Sequence, residues 1–195
     1  DAGLIDAARD ALDGAAGDPW SPYLSAYAAY RAAQLALARG QAADADLERC
    51  ANEAEAAAAD RAVAPEAGVL IVACAAMAAA AEPIRAASQQ RRIRQGLAQA
   101  EAPTAVNPRL LLVRQGHLDD QSITVEAVVT AFRDARAGFP EWGEAEALLA
   151  LSEQRLAAGD LRGARDALEE TLLIAPDYTA ALELKTRIGA LTSGR

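Results

Sequence analysis

The chain has 195 residues, 52% hydrophobic and 24% charged, enough apolar material for one domain or one continuous stack and too much for a disordered chain. Its formal net charge of -9 argues against a general nucleic-acid surface, which needs concentrated lysine and arginine. No segment reaches the 18 or so uninterrupted apolar residues of a membrane helix; the nearest, Val69 to Ala81, is alanine-heavy and reads as a buried helix.

Alanine is the commonest residue and only 4% of the chain is aromatic. Alanine helices form readily and approach closely, but each residue buries little area, so the scattered Leu, Ile, Val, Phe and Trp must carry most of the packing. With no β-branched run and no alternating pattern, the expected fold class is all-α. The basic residues are all arginine except Lys185, a bias that points to a GC-rich bacterial source.

In chain order, Gly3 to Ala16 places Leu4, Ile5, Ala8 and Leu12 on one helical face, and Gly17-Asp18-Pro19 ends that helix. Ser21 then reads as an N-cap with Pro22 in the first turn of a helix to about Arg39, stopped by Gly40. A third helix covers about Ala42 to Asp60, a fourth about Pro65 to Ala81, and a fifth, more polar one Ser88 to Ala102, closed by Pro103. Asn107 caps a helix from Pro108 to His117, whose partner runs from Thr124 to Ala137 and ends at Gly138 and Pro140.

The most regular stretch is Ala145 to Tyr178. Leu148, Leu149, Leu151 and Leu156 recur at helical spacing, Gly159-Asp160 breaks the chain, and Ala164, Ala167, Leu168, Leu172 and Ile174 resume the period until Pro176 stops it. Two amphipathic helices should therefore fold back on each other, with Leu148, Ala164 and Leu168 meeting across the hairpin. A final helix, Thr179 to Leu191, follows.

The length and layout of this unit resemble the tetratricopeptide repeat, a 34-residue helix pair that stacks into a solenoid. Ala164, Leu168 and Pro176 match the family's pattern, whereas Ser152, Arg155 and Thr171 depart from it. The resemblance implies a right-handed α-solenoid of antiparallel helix pairs in one domain over 1–195: degenerate pairs in 1–102, clearer repeats at 107–138 and 145–178, and a capping helix at 179–191. The DPW ending of the opening helix, the NPR triplet and the run from Trp142 to Tyr178 are also similar to a group of exported bacterial members of that family. That similarity implies a periplasmic or secreted scaffold. Because the chain opens at Asp1 without a leader, either a signal peptide has been removed or the ends were trimmed; a cytoplasmic location stays open.

In that family the first helices of successive repeats line a concave groove for a peptide or partner helix. The corresponding residues are Glu146, Leu149, Glu153 and Leu156 of the clearer repeat and Arg109, Leu112 and Gly116 of the weaker one. No lysine-asparagine clamp for a terminal carboxylate accompanies them, so an apolar or basic segment suits this lining better. Tyr23, Tyr27 and Tyr30 form a stripe on one helix; they either pack in the core or add an aromatic wall to the groove.

Cys50 and Cys74 lie at equal distances from the turn near Ala62, so a hairpin brings them level. They are either a disulfide or a pair of small apolar fillers. His117, the only histidine, stands at a helix end beside Asp119 and Asp120, where a polar turn is expected anyway, and one His with two distant Cys makes no zinc pattern. Arg85, Arg91, Arg92 and Arg94 read as a solvated helix face paired with neighbouring acids. No cofactor or metal is expected. The leading expectation is a non-catalytic scaffold binding a protein or peptide; the alternative is a structural protein that self-associates as a homodimer through the end of the stack or the helix Val69 to Ala81. An enzyme is the remote third.

Overall fold

The computed structural model describes residues 18, 20–101, 106–135 and 142–193. Among them the fold is all-helical, with nine α-helices and no strand. We label them α1 (Trp20–Ala38), α2 (Asp44–Ala57), α3 (Ala64–Ala81), α4 (Ala86–Ala100), α5 (Pro108–His117), α6 (Val125–Ala135), α7 (Glu144–Ala157), α8 (Leu161–Ile174) and α9 (Thr179–Ser193); a 3₁₀ turn, Pro83–Arg85, leads into α4. The opening helix expected over 3–16 lies outside the described residues. The chain divides into two compact units, Asp1–Val106 and Asn107–Arg195.

Helix ends follow local chemistry. Gly40, at φ 67°, closes α1 with its N–H on the Leu37 carbonyl while Gln41 N–H reaches Ala36, the paired bonds of a Schellman motif. Gly159, at φ 81°, repeats the arrangement after α7, with Asp160 N–H on the Arg155 carbonyl. Asn107 caps α5 by accepting from the N–H groups of Arg109 and Leu110. The start of α1 differs from expectation: the Asp18 carboxylate accepts from Trp20 N–H at 3.0 Å, so the helix begins two residues earlier, at Trp20, and Ser21 lies inside it.

In the first unit α3 is the central element, packed against α1, α2 and α4. Residues 67–77 are buried without interruption. Its 18 residues, of mean hydropathy 1.8, make it the one described helix long and apolar enough to cross a membrane, and 61% of it is enclosed by the unit. Counted from Val69 the apolar stretch is shorter; the helix starts at Ala64 and carries Glu66 in its first turn. A helix apolar all round needs neighbours all round.

Alanine and glycine allow that enclosure. A Cβ on Gly96 would lie 2.7 Å from the Gly68 carbonyl oxygen, and one on Gly68 equally close to that of Gly96, so α3 and α4 touch backbone to backbone. On another side the Cys50 and Cys74 sulphurs are joined in a disulfide, with the Cα atoms 6.3 Å apart and both residues fully buried. Arg92 of α4 closes the rim against α2, its guanidinium reaching Glu48 (3.1 Å), Asn52 (2.8 Å) and Glu55 (3.0 Å).

In the second unit each helix packs on the next in sequence. One cluster joins Val128, Val129 and Phe132 of α6 to Ala147, Leu148 and Leu151 of α7 and Ala167 of α8. A second joins Leu149 of α7 to Ala164 and Leu168 of α8 and Ala181, Leu184 and Ile188 of α9. The expected partnership is thereby corrected: Ala164 and Leu168 pack with Leu149, while Leu148 turns toward α6. Two adjacent leucines point about 100° apart on a helix flanked on both sides, and each takes a different neighbour.

Candidate functional site

The residues expected to line a groove scatter when placed in the structure. Tyr23 and Tyr30 are buried, Tyr27 is half-buried, and Tyr30 Oη accepts from Gln34 Nε2 at 2.7 Å. Trp20 stacks edge-on against Tyr23 with centroids 5.5 Å apart. Arg109 is buried, and its Nε donates to the Trp142 carbonyl at 3.1 Å, tying the start of α5 to the segment before α7. Leu149 is in the core between α7, α8 and α9. Leu112 is half-buried against the α6–α7 cluster. Glu146 reaches back to accept from Gly143 N–H at 3.1 Å, bracing the first turn of α7. Leu156 is half-buried, and Glu153 and Gly116 are exposed.

Three positions that depart from the repeat pattern share one explanation. Ser152 Oγ donates to the Ala164 carbonyl at 2.7 Å, an Arg155 guanidinium N–H to the Gly163 carbonyl at 3.1 Å, and Thr171 Oγ1 to the Ala167 carbonyl at 2.9 Å. Ser152 and Thr171 are fully buried, so these hydroxyls find acceptors where water cannot reach. The first two bonds stitch α7 to α8 in antiparallel register.

Of the basic residues on and before α4, Arg85 pairs with Glu82 at 2.7 Å and Arg92 with α2, leaving Arg91 and Arg94 as exposed side chains. His117, at the end of α5, is half-buried, and loss of hydration pushes its imidazole below the ordinary histidine value. Asp120 is fixed by Arg114 and by Ser122, whose hydroxyl and backbone N–H both donate to it, and these bonds hold its carboxyl below the usual range. Among the described residues no three His, Cys, Asp or Glu side chains come together as metal ligands.

A concave feature lies elsewhere, between α8 and α9. It is a groove of about 450 Å³ whose apolar side chains are Leu168, Leu172, Leu173 and Ile188, with Arg165, Glu169 and Lys185 at its rim. Leu168 and Ile188 form a buried floor, but Leu173 is 82% exposed. The sequence carried a signal for it in the run Leu172-Leu173-Ile174. Three consecutive apolar residues span more than half the circumference of a helix, so α8, packed on α7 and α9, still leaves Leu173 and Ile174 outside. The groove size falls in the range of small binding clefts.

The chain matches no protein-family model, and neither curated proteins nor solved structures give a match.

Proposed function

We propose that the chain is a non-catalytic scaffold that binds a segment of another protein, built as a short right-handed solenoid of tetratricopeptide-like helix pairs with α9 as its capping helix. The observation that carries the binding role is the α8–α9 groove: a buried apolar floor under an 82% exposed Leu173, contiguous with Leu172 and ringed by charged side chains. Isolated exposed leucines are ordinary on protein surfaces, whereas a lined apolar concavity with a polar rim is the anatomy of a recognition site. Supporting the repeat architecture are the consecutive packing of α5 to α9 and the stitched α7–α8 hairpin.

The non-catalytic half of the proposal rests on groups already committed: both thiols are consumed in the disulfide, and His117 is half-buried at a helix end. The disulfide also favours the periplasmic or secreted location over the cytoplasm, where thiols stay reduced.

Panning a displayed random-peptide library on the full chain tests the reading. Binders that lose affinity when Leu173→Glu is introduced are expected. A library that yields no binder above the uncoated control overturns the scaffold proposal.

A further inference from the structure

Resting on that scaffold reading, we infer that the occupant of the α8–α9 groove is an amphipathic α-helix whose apolar stripe is flanked by acidic side chains. Two observations specify it. The first is the nature of the walls. Both are α-helices, whose backbone N–H and C=O groups are spent internally, so the groove offers no strand edge. An extended segment pressed into it would lose water from its own backbone without gaining a partner. A helix satisfies its own backbone and brings side chains at i, i+3, i+4 and i+7, the spacing a helix-lined apolar floor accepts. From Arg165 to Leu173 the lining of α8 extends about 12 Å at 1.5 Å per residue, room for roughly two turns of a partner helix.

The second observation is charge. Arg165 on α8 and Lys185 on α9 stand on opposite walls, and among the described residues neither has an ion-pair partner. Against these two cations the lining sets a single carboxylate, Glu169, so the rim is net positive on a chain of net charge -9. Carboxylates on the flanks of an incoming helix complement both walls. The same balance disfavours a second copy as occupant, since two chains of charge -9 repel as they approach. Lys185 is also the one lysine of an arginine-rich basic set. The acidic helix therefore differs in sign from the basic or apolar segment expected for a groove lined by Glu146 and Glu153.

The test uses three labelled 16-residue alanine-based helical peptides, titrated with the full chain in fluorescence polarisation. One carries leucines at i, i+3 and i+7 flanked by glutamates, the second has lysines for the glutamates, and the third has serines for the leucines. The glutamate-leucine peptide should bind at least about tenfold more tightly than the lysine peptide at low ionic strength, with the gap shrinking in salt. The double variant Arg165→Glu/Lys185→Glu should reverse that order. Leu173→Glu and the serine peptide should each remove binding. All three altered side chains are exposed, so folding should be unaffected, and a circular dichroism melt verifies this.

Equal affinity for the glutamate and lysine peptides, or an unchanged order in the charge-reversed variant, overturns the inference. Library binders that are basic, or indifferent to Leu173→Glu, overturn it too while leaving the scaffold reading intact. Concentration-dependent mass in sedimentation that Leu173→Glu abolishes assigns the groove to a second copy instead. A library without binders removes both readings together.

Discussion

At Gly96 the absence of a side chain is a packing requirement. A methyl group there would meet the Gly68 carbonyl oxygen at 2.7 Å and Val72 Cγ2 at 2.9 Å, and the first of these is backbone that cannot step aside. Gly96→Ala should therefore destabilise the first unit by about 1–3 kcal/mol, although alanine is the better helix former by about 1 kcal/mol. Urea unfolding followed by circular dichroism measures it, and a gain in stability would mean that α3 and α4 separate at no cost. Gly143 combines both reasons for glycine: its φ is 99°, and a Cβ would lie 2.7 Å from Phe132 Cζ. His117 supplies a pH dependence. Burial lowers its folded pKa, so near neutrality both folded and unfolded chains hold it uncharged and nothing is lost. Below the unfolded value, about 6.5, the unfolded chain takes up a proton that the folded one resists, so stability falls with pH through that window. The drop in urea midpoint between pH 7.5 and pH 5.5 should be smaller in His117→Gln.

At the scale of the element, helix ends were readable because they are set by a few adjacent residues. Asn107-Pro108, Gly40 and Gly159-Asp160 each do locally what their type dictates. Helix partners were less readable. Equal spacing from a turn brought Cys50 and Cys74 level, but a disulfide and two apolar fillers share that register, and the joined sulphurs distinguish them. The bridge ties α2 to α3 across a separation of 24 residues and should contribute about 3 kcal/mol. Cys50→Ala/Cys74→Ala should lose about that much in urea titrations. Because both cysteines are fully buried, alkylation after reductant should succeed only once the protein is unfolded, as intact mass will record. In the second unit α9 supplies Ala181, Leu184 and Ile188 to the cluster holding Leu149 and Leu168. A chain ending at Tyr178 exposes that cluster, and it should aggregate or lose cooperative melting in calorimetry.

For the molecule as a whole, charge governs behaviour in solution. The chain carries -9 at neutral pH with a pI of about 4.7, so solubility should pass through a minimum near that pH and recover on either side, as turbidity against pH will show. The same excess of acid gives several arginines a partner: Arg92 with Glu48 and Glu55, Arg114 with Asp120, Arg133 with Glu170. Arg92 holds the Glu48 carboxyl below its usual range, so that pair is retained at mildly acidic pH and lost only as pH falls through the lowered value.

By itself the sequence determined the class and the punctuation of this protein: helices throughout, their approximate ends, and the glycines, prolines and caps between them. Those features depend on contacts within a few residues. Which face of each helix is buried was decided only by the tertiary structure. In alanine-rich helices nearly every face can be covered, so the period that marks an amphipathic stripe elsewhere does not choose a side here. Arg109 and Leu149 were drawn inward by neighbours far along the chain, while Leu173 was left outside because no described helix covers that side of α8 and α9.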